Sequence, residues 1–254
     1  MTIIPRIALL TFLGLSGSAT TALAAETIRI GGYPFPPFVE VIDGQPGGLT
    51  LDLIAATNKA QTRYRLDFVP TVAEQRYSGL SGGKFDLIAF ESPDWGWPRG
   101  NIATGDTLHE GSEIYVALAQ PDRDQSFFAN LAKRRIAIVS GFHYGFTGMG
   151  TNGATRRFDI LETAEPGDGL QAVLDGEAEI AVLNDVFLKR LLAEVPEMKE
   201  TLLIGETPDQ RYSQTVIGNA RRAEMVNAIG RLLLDTMRAP DFRDVLRGYG
   251  LSEP

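Results

Sequence analysis

Short apolar segments alternate with amphipathic segments along this chain, and the alternation predicts strands followed by helices. The segments typical of strands in its first half are residues 27–31, 63–69, 85–90 and 113–119. Helical spacing of apolar side chains covers residues 50–60 and 72–80. Leu53, Ile54 and Thr57 would form the buried face of the first helix. Each short apolar strand followed by a helix favours a parallel sheet.

The same order resumes after the turn at residues 120–122. Strands are predicted at residues 135–139, 158–162, 179–183 and 212–218. Helices are predicted at residues 169–174, 186–194, 223–238 and 240–248. Two such cycles with a late return strand predict an α/β protein of two lobes, each a mostly parallel sheet flanked by helices, joined by two hinge crossings. The expected boundaries are residues 25–117 with 217–254 for lobe 1, and residues 118–216 for lobe 2.

The first residues have the pattern of an export signal. Arg6 supplies a positive start, residues 7–15 an apolar centre, and Ala22-Leu23-Ala24 a cleavage pattern, with the cut expected before Ala25. The apolar run is too short to span a bilayer. We therefore expect residues 1–24 to be a cleaved signal peptide and the mature protein to be soluble in a bacterial periplasm.

Composition narrows the classes of function. The 254 residues carry a formal net charge of −8, which argues against binding nucleic acid or anionic membranes. The chain has no cysteine and only two histidines, His109 and His143, which argues against a thiolate or histidine-rich metal site. No cofactor is expected, and the fold must be stabilised by its core without disulfides.

An aromatic loop follows the first predicted strand. Gly31 and Gly32 end that strand, and Tyr33, Phe35 and Phe38 follow among three prolines. Open α/β sheets bind ligands at the carboxyl ends of their strands, so this loop is placed to present aromatic faces to a small molecule. The alternative is that these rings only pack the loop, and core packing is the expectation for Phe38.

Five further motifs occur in a fixed order: Phe35-Pro36-Pro37-Phe38, residues 48–53, 83–88, 134–141 and 174–185. In that order and spacing the chain resembles the polar amino-acid family of periplasmic solute-binding proteins, often called family 3, which have a type II periplasmic-binding fold. The resemblance implies a monomeric, non-enzymatic clamp that closes on a small polar, amino-acid-like solute. It also implies that the membrane permease of an ABC importer is the partner.

The resemblance implies particular ligand contacts. It places the ring of Phe35 against the solute, with Tyr33 as a second candidate, and Asp185 against a ligand amino group. Asp185 could instead cap the predicted helix at residues 186–194. The family binds a carboxylate on backbone N–H groups where this chain has Ser140-Gly141-Phe142-His143, so Ser140, Phe142 and His143 are candidates. A lone histidine is more often only a satisfied polar group.

The largest departure from the family pattern follows the strand at residues 85–90. The family has there an arginine that grips the α-carboxylate, whereas this chain has Glu91 and then Arg99 one position later than expected. Glu91 would oppose a carboxylate and favours a cationic or hydroxylated solute. Trp95 and Trp97 could stack on such a solute, or form a rigid lip that packs on lobe 1 or meets a partner.

Two other functions stay open from the sequence. Glu91, Asp185 and His143 could form an acid–base set in an enzyme that dehydrates a ring acid, although no nucleophile motif or metal spacing supports catalysis. The irregular segment at residues 93–98 is consistent with an exported accessory protein that has a weakened cleft and binds an exported enzyme.

Overall fold

A computed structural model describes residues 25–149 and 157–254, so the expected signal peptide lies outside the described residues. The strands are β1 Glu26–Gly32, β2 Glu40–Ile42, β3 Gln45–Gly47, β4 Tyr64–Pro70, β5 Leu87–Glu91, β6 Ile102–Leu118, β7 Arg135–Val139, β8 Asp159–Thr163, β9 Ile180–Asn184, β10 Leu202–Ile204 and β11 Gln210–Asn219. The helices are α1 Leu49–Ala60, α2 Arg76–Ser81, α3 Pro166–Leu174, α4 Asp185–Glu194, α5 Met198–Thr201, α6 Ala223–Met237 and α7 Arg243–Gly248.

One large sheet contains two groups of parallel strands. Its order is β4-β1-β5-β11-β6-β9-β7-β8, and β10 adds to β6. Strand β1 pairs in parallel with β4 and β5, and β7 pairs in parallel with β8 and β9. The antiparallel strands β6 and β11 lie between the two groups. The predicted α/β fold, with mostly parallel strands flanked by helices, is confirmed.

Strand β6 is longer than the sequence predicted. The prediction began at residue 113, but the strand has 17 residues and begins at Ile102. Its first part is specified by pairing with β11, from Asn219 opposite Ile102 to Gln210 opposite Glu113, with register shifts on the way. Its last part pairs with β9. Since β6 and β11 connect both groups of strands, they are the segments in which the two predicted lobe crossings would lie.

The buried face of α1 is the face that the helical spacing predicted. Leu53, Ile54 and Thr57 are buried on α1, as predicted, and Phe38 is a core residue that is 2% exposed. The predicted helix at residues 72–80 differs, because it starts as a 3₁₀ turn, Ala73–Gln75, before α2. Within the two described ranges no helix is both long and apolar enough to cross a membrane.

Candidate functional site

A buried ion pair lies at the carboxyl end of β5. Glu91 is the last residue of that strand, and its Oε1 is 3.6 Å from Nε of Arg76, with both side chains 1% exposed. The hydroxyl of Tyr33, which follows β1, donates to the same Glu91 oxygen at 3.0 Å. The elements β1, β5 and α2 therefore bring together three polar side chains that are far apart in sequence.

Arg76 also connects this cluster to the segment after β7. Its Nη1 donates to the carbonyl oxygen of Gly141 at 3.0 Å and to that of Ala73. Its Nη2 lies 2.9 Å from Nδ1 of His143. A guanidinium can only donate, so Nδ1 of His143 accepts and the ring proton is on Nε2. Arg76 therefore joins residues of predicted lobe 1 to residues of predicted lobe 2.

The hydrogen bonds continue from His143 to the tryptophan loop. Nε2 of His143 is 3.3 Å from the hydroxyl oxygen of Tyr77, which itself donates to the carbonyl oxygen of Trp95 at 2.5 Å. The ring of Trp97 packs edge-on against Tyr77, with 4.8 Å between centroids. Both tryptophans are buried, at 5% exposed each. The contact of Trp97 with Tyr77 agrees with the predicted rigid lip that packs on lobe 1.

Burial determines the electrostatics of the cluster. It raises the pKa of Glu91 to about 7, although Arg76, the Tyr33 hydroxyl and Trp97 all lower it. Burial, followed by the charge of Arg76, lowers the pKa of His143 to about 4. The imidazole is therefore neutral near pH 7, and Glu91 is close to its midpoint.

Aromatic rings close the space between the two predicted lobes. Phe35 packs edge-on against Phe142 at 5.2 Å between centroids and against Trp95 at 5.8 Å. Trp95 in turn packs on Tyr212 at 4.7 Å. The void that remains is about 10 Å³ and is lined by Tyr33, Phe35, Arg76, Trp95, Glu113, Phe142 and His143. Five of the ten residues predicted as ligand contacts therefore line one small space: Tyr33, Phe35, Trp95, Phe142 and His143.

Arg76 and Glu113 were not predicted from the sequence to belong to the site. Glu113 lies within β6, is 4% exposed and accepts a hydrogen bond from Tyr212 at 3.2 Å, and its burial raises the pKa of its carboxyl well above the usual range. A sequence signal existed for Arg76, because it lies on the apolar face with Ala73 and Leu80. An arginine on such a face is a candidate for a buried ion pair.

Arg99 and Asp185 lie away from the void. The side chain of Arg99 is 87% exposed and pairs with Asp94 at 3.1 Å. Asp185 accepts a hydrogen bond from Ser112 at 3.0 Å and lines a separate depression of about 790 Å³ beside the C-terminal segment. The predicted acid–base set of Glu91, Asp185 and His143 is therefore not assembled around the void.

The hydrogen bonds correct the cap that the sequence predicted for α4, and they show the partners that Ser140 has within the protein. The cap of α4 is Asn184, which accepts from the backbone N–H of Phe187, whereas Asp185 is the first residue of the helix. Ser140 donates from its hydroxyl to Glu162, and its backbone N–H is bonded to the carbonyl of Thr163.

The N–H groups that follow the predicted carboxylate-binding segment at residues 140–143 have partners within the protein. In the 3₁₀ turn after residue 143, Gly145–Thr147, the N–H groups of Gly145 and Phe146 donate to the carboxylate of Asp209, and that of Thr147 donates to the carbonyl oxygen of Tyr144. These N–H groups are not free to bind a solute carboxylate.

Comparison with known proteins identifies the fold. No family model matches the sequence, and no curated protein is significantly similar to it. A histidine kinase sensor domain with similarity to periplasmic binding proteins is 17% identical, with a TM-score of 0.69 over 91% of this chain and 99% of that one. An ancestral arginine-binding protein bound to arginine is 14% identical, with a TM-score of 0.67 over 89% and 99%.

A third solved structure is also similar in fold. An ancestral amino acid-binding protein described as a precursor of cyclohexadienyl dehydratase is 18% identical, with a TM-score of 0.66 over 88% of this chain and 95% of that one. Together these likenesses show that the chain has the fold of the family 3 periplasmic solute-binding proteins, as the sequence predicted.

Proposed function

We propose that this protein is an exported solute-binding protein that holds a small polar organic molecule between its two lobes. The supporting observation is the convergence of Arg76, Glu91 and His143 in one buried cluster. A buried ion pair contributes little to stability because its desolvation cost can exceed its attraction. Recognition of a solute is therefore a better explanation of the cluster than folding. Residence in the periplasm and delivery to an ABC importer permease complete the proposal.

Unpartnered polar atoms support the same role. Oε2 of Glu91 and the indole nitrogens of Trp95 and Trp97 are buried without a hydrogen-bond partner in the described part of the chain. Trp97 is close enough to lower the pKa of Glu91 but does not meet it at hydrogen-bonding geometry. Buried polar groups left unsatisfied cost free energy, and a polar solute supplies their partners.

Binding requires the lobes to separate. A void of about 10 Å³ has room for about one water molecule, so a solute enters only when Phe35 moves away from Phe142. A solute that contacts both lobes would then favour the closed arrangement, because it binds that arrangement better than the open one.

Tryptophan fluorescence tests the proposal, because the only two tryptophans of the chain, Trp95 and Trp97, both lie in the cluster. Protein refolded from denaturant, and so free of carried solute, is titrated with amino acids, polyamines, betaines, sugars and carboxylates while its melting temperature is recorded. A solute at a hundred times its Kd stabilises the protein by about 2.7 kcal/mol. A compound that changes both signals supports solute binding, and a panel without effect on either contradicts it.

The small void favours a second candidate function. An accessory protein with the same fold could keep its lobes closed through Arg76 and present their outer surface to an exported enzyme. Small-angle X-ray scattering separates the two functions. A solute-binding protein changes its radius of gyration when a solute is added, whereas an accessory protein keeps the closed dimensions throughout the panel.

A further inference from the structure

The guanidinium of Arg76 is anchored at Nη1 and Nη2, whereas its Nε keeps an unpartnered N–H within the described ranges. Its Nη1 is held by the carbonyl oxygens of Ala73 and Gly141. Its Nη2 meets His143, and its Nε has no hydrogen-bond partner among residues 25–149 and 157–254. Nε and Nη2 form the edge whose two parallel N–H groups match the two oxygens of a carboxylate. Arg76 is therefore positioned as a rigid carboxylate receptor at the wall of the void.

Glu91 makes only a long contact with this edge of Arg76. Its Oε1 is 3.6 Å from Nε of Arg76, beyond hydrogen-bond distance, and is instead bonded to Tyr33. Its Oε2 has no partner in the described ranges. A solute carboxylate that bound the Nε–Nη2 edge would therefore form better hydrogen bonds with Arg76 than Glu91 does.

The charges around Glu91 leave Arg76 as the source of positive potential. The groups that face Glu91 are Arg76 and Tyr77 of α2, Tyr33 after β1, and Trp97 after β5. Burial raises the pKa of both tyrosines, which keeps them neutral.

Burial shifts the pKa values of His143 and Glu113 in the directions that favour their neutral forms. The pKa of His143 is lowered to about 4 by burial and by Arg76. Burial raises the pKa of Glu113 well above its usual range, which disfavours its ionised form. Once Glu91 takes up a proton, Arg76 loses the carboxylate that pairs with it.

Aromatic rings form the rest of the wall. Tyr33, Phe35, Trp95 and Phe142 line the void, and Phe35 meets two of the others edge-on. Rings arranged in this way accept a flat apolar group by stacking or edge contact. The site therefore combines one charged receptor with an apolar slot.

We infer that the solute is a small carboxylate with a flat apolar body, which Arg76 binds bidentately while Glu91 takes up a proton. This inference rests on the proposed function. Two carboxylates that share one guanidinium cannot both stay ionised, so the proton goes to Glu91. This inference reverses the expectation from the sequence, in which Glu91 favoured a cationic solute.

Four compounds test the charge and the body of the solute separately. 3-Phenylpropionate, phenethylamine and L-phenylalanine share a phenyl body but differ in charge, and acetate has the charge without the body. In fluorescence titrations we expect 3-phenylpropionate to bind at least tenfold more tightly than the other three. We also expect its Kd to rise about tenfold from pH 6 to pH 8, since Glu91 with a pKa of about 7 must be protonated in the complex.

Three variants locate the effect. Arg76→Gln should weaken binding of 3-phenylpropionate at least tenfold, and Glu91→Gln should keep the binding but remove its pH dependence. Arg99→Gln is the matched control and should bind as the wild type does, because Arg99 is 87% exposed. Circular dichroism checks that each variant folds, and the wild-type comparisons of charge and pH do not depend on any variant.

The outcomes separate this inference from the proposed function. Tighter binding of phenethylamine, L-phenylalanine or acetate, or a Kd that does not change with pH, overturns the inference but leaves solute binding intact. Binding of a solute from the wider panel that has no carboxylate also overturns the inference and leaves solute binding intact. Failure of every compound in the wider panel contradicts the proposed function itself.

Discussion

The side-chain amide of Asn184 donates a hydrogen bond of 2.9 Å to the carbonyl oxygen of Pro36. The oxygen of the same amide accepts from the backbone N–H of Phe187 at 2.8 Å and so caps α4. Asn184 is 1% exposed, so water does not readily replace either bond. One side chain therefore connects the start of a helix in predicted lobe 2 to the aromatic loop of predicted lobe 1.

Substitution of Asn184 separates these two contributions. Asn184→Ala removes both bonds and should lower the free energy of unfolding by about 2–3 kcal/mol. Asn184→Ser keeps a capping oxygen and loses only the bond to Pro36, so it should cost about 1 kcal/mol. Urea denaturation measures the free energy of unfolding of each variant. Equal costs for the two variants would show that the cap contributes nothing.

Glu91 should make stability depend on pH in a defined direction. Its pKa is about 7 in the folded protein against 4.5 for an exposed glutamate, so the folded state binds the extra proton between these values. Stability is therefore lost as pH rises from 4.5 to 7. The wild type should lose about 3 kcal/mol relative to Glu91→Gln across this window.

Denaturation at several pH values tests this prediction, and the difference between wild type and variant cancels the titration of all other groups. Glu177→Gln is a suitable control, because Glu177 is exposed after α3. A difference between wild type and Glu91→Gln that stays constant with pH would mean that Glu91 is ionised throughout.

The elements of the fold were predictable because their signals are local. The strand at β7 and the helix α6 are each defined by spacing within fifteen residues or fewer, and both were predicted to within a residue. The first part of β6 was not predicted, because it is held by pairing with β11, about a hundred residues away in the chain. Pairing over that distance leaves no periodic signal in the strand itself.

The composition of the site was only partly predictable. Phe35, Glu91, Trp95 and His143 were found from their motifs, and all lie in or beside the cluster. Arg76 was missed because its partners Gly141 and His143 are 65 and 67 residues away in sequence. Family spacing pointed to Arg99, but that side chain pairs with Asp94 on the surface.

His143 should stay neutral well below the usual range. Its pKa is lowered from 6.5 to about 4 by burial and by Arg76, so the unfolded chain takes up a proton first and stability is lost as pH falls through this window. NMR of the imidazole resonances measures the titration, and with only two histidines in the chain the variant His143→Gln gives the assignment. A midpoint above pH 6 would contradict the donation from Arg76 to Nδ1.

Gly96 should be irreplaceable because of what lies beside it. Its φ is +72°, and a Cβ there would lie 2.6 Å from Nε2 of His143 and 2.9 Å from the hydroxyl oxygen of Tyr77. Gly83 has the same φ of +72° with nothing within 4 Å, so Gly83→Ala measures the backbone cost alone, about 1 kcal/mol. Gly96→Ala should cost at least about 2 kcal/mol.

The same pair of variants distinguishes a local effect on the site from a backbone effect. Gly96→Ala should raise the pKa of His143 towards its usual value, because the ring must leave Tyr77 to make room for the methyl group. It should also shift the fluorescence of Trp95, whose carbonyl oxygen accepts from Tyr77. Gly83→Ala should change neither signal. If both variants cost the same and leave the imidazole titration unchanged, the close packing of the tryptophan loop against His143 is wrong.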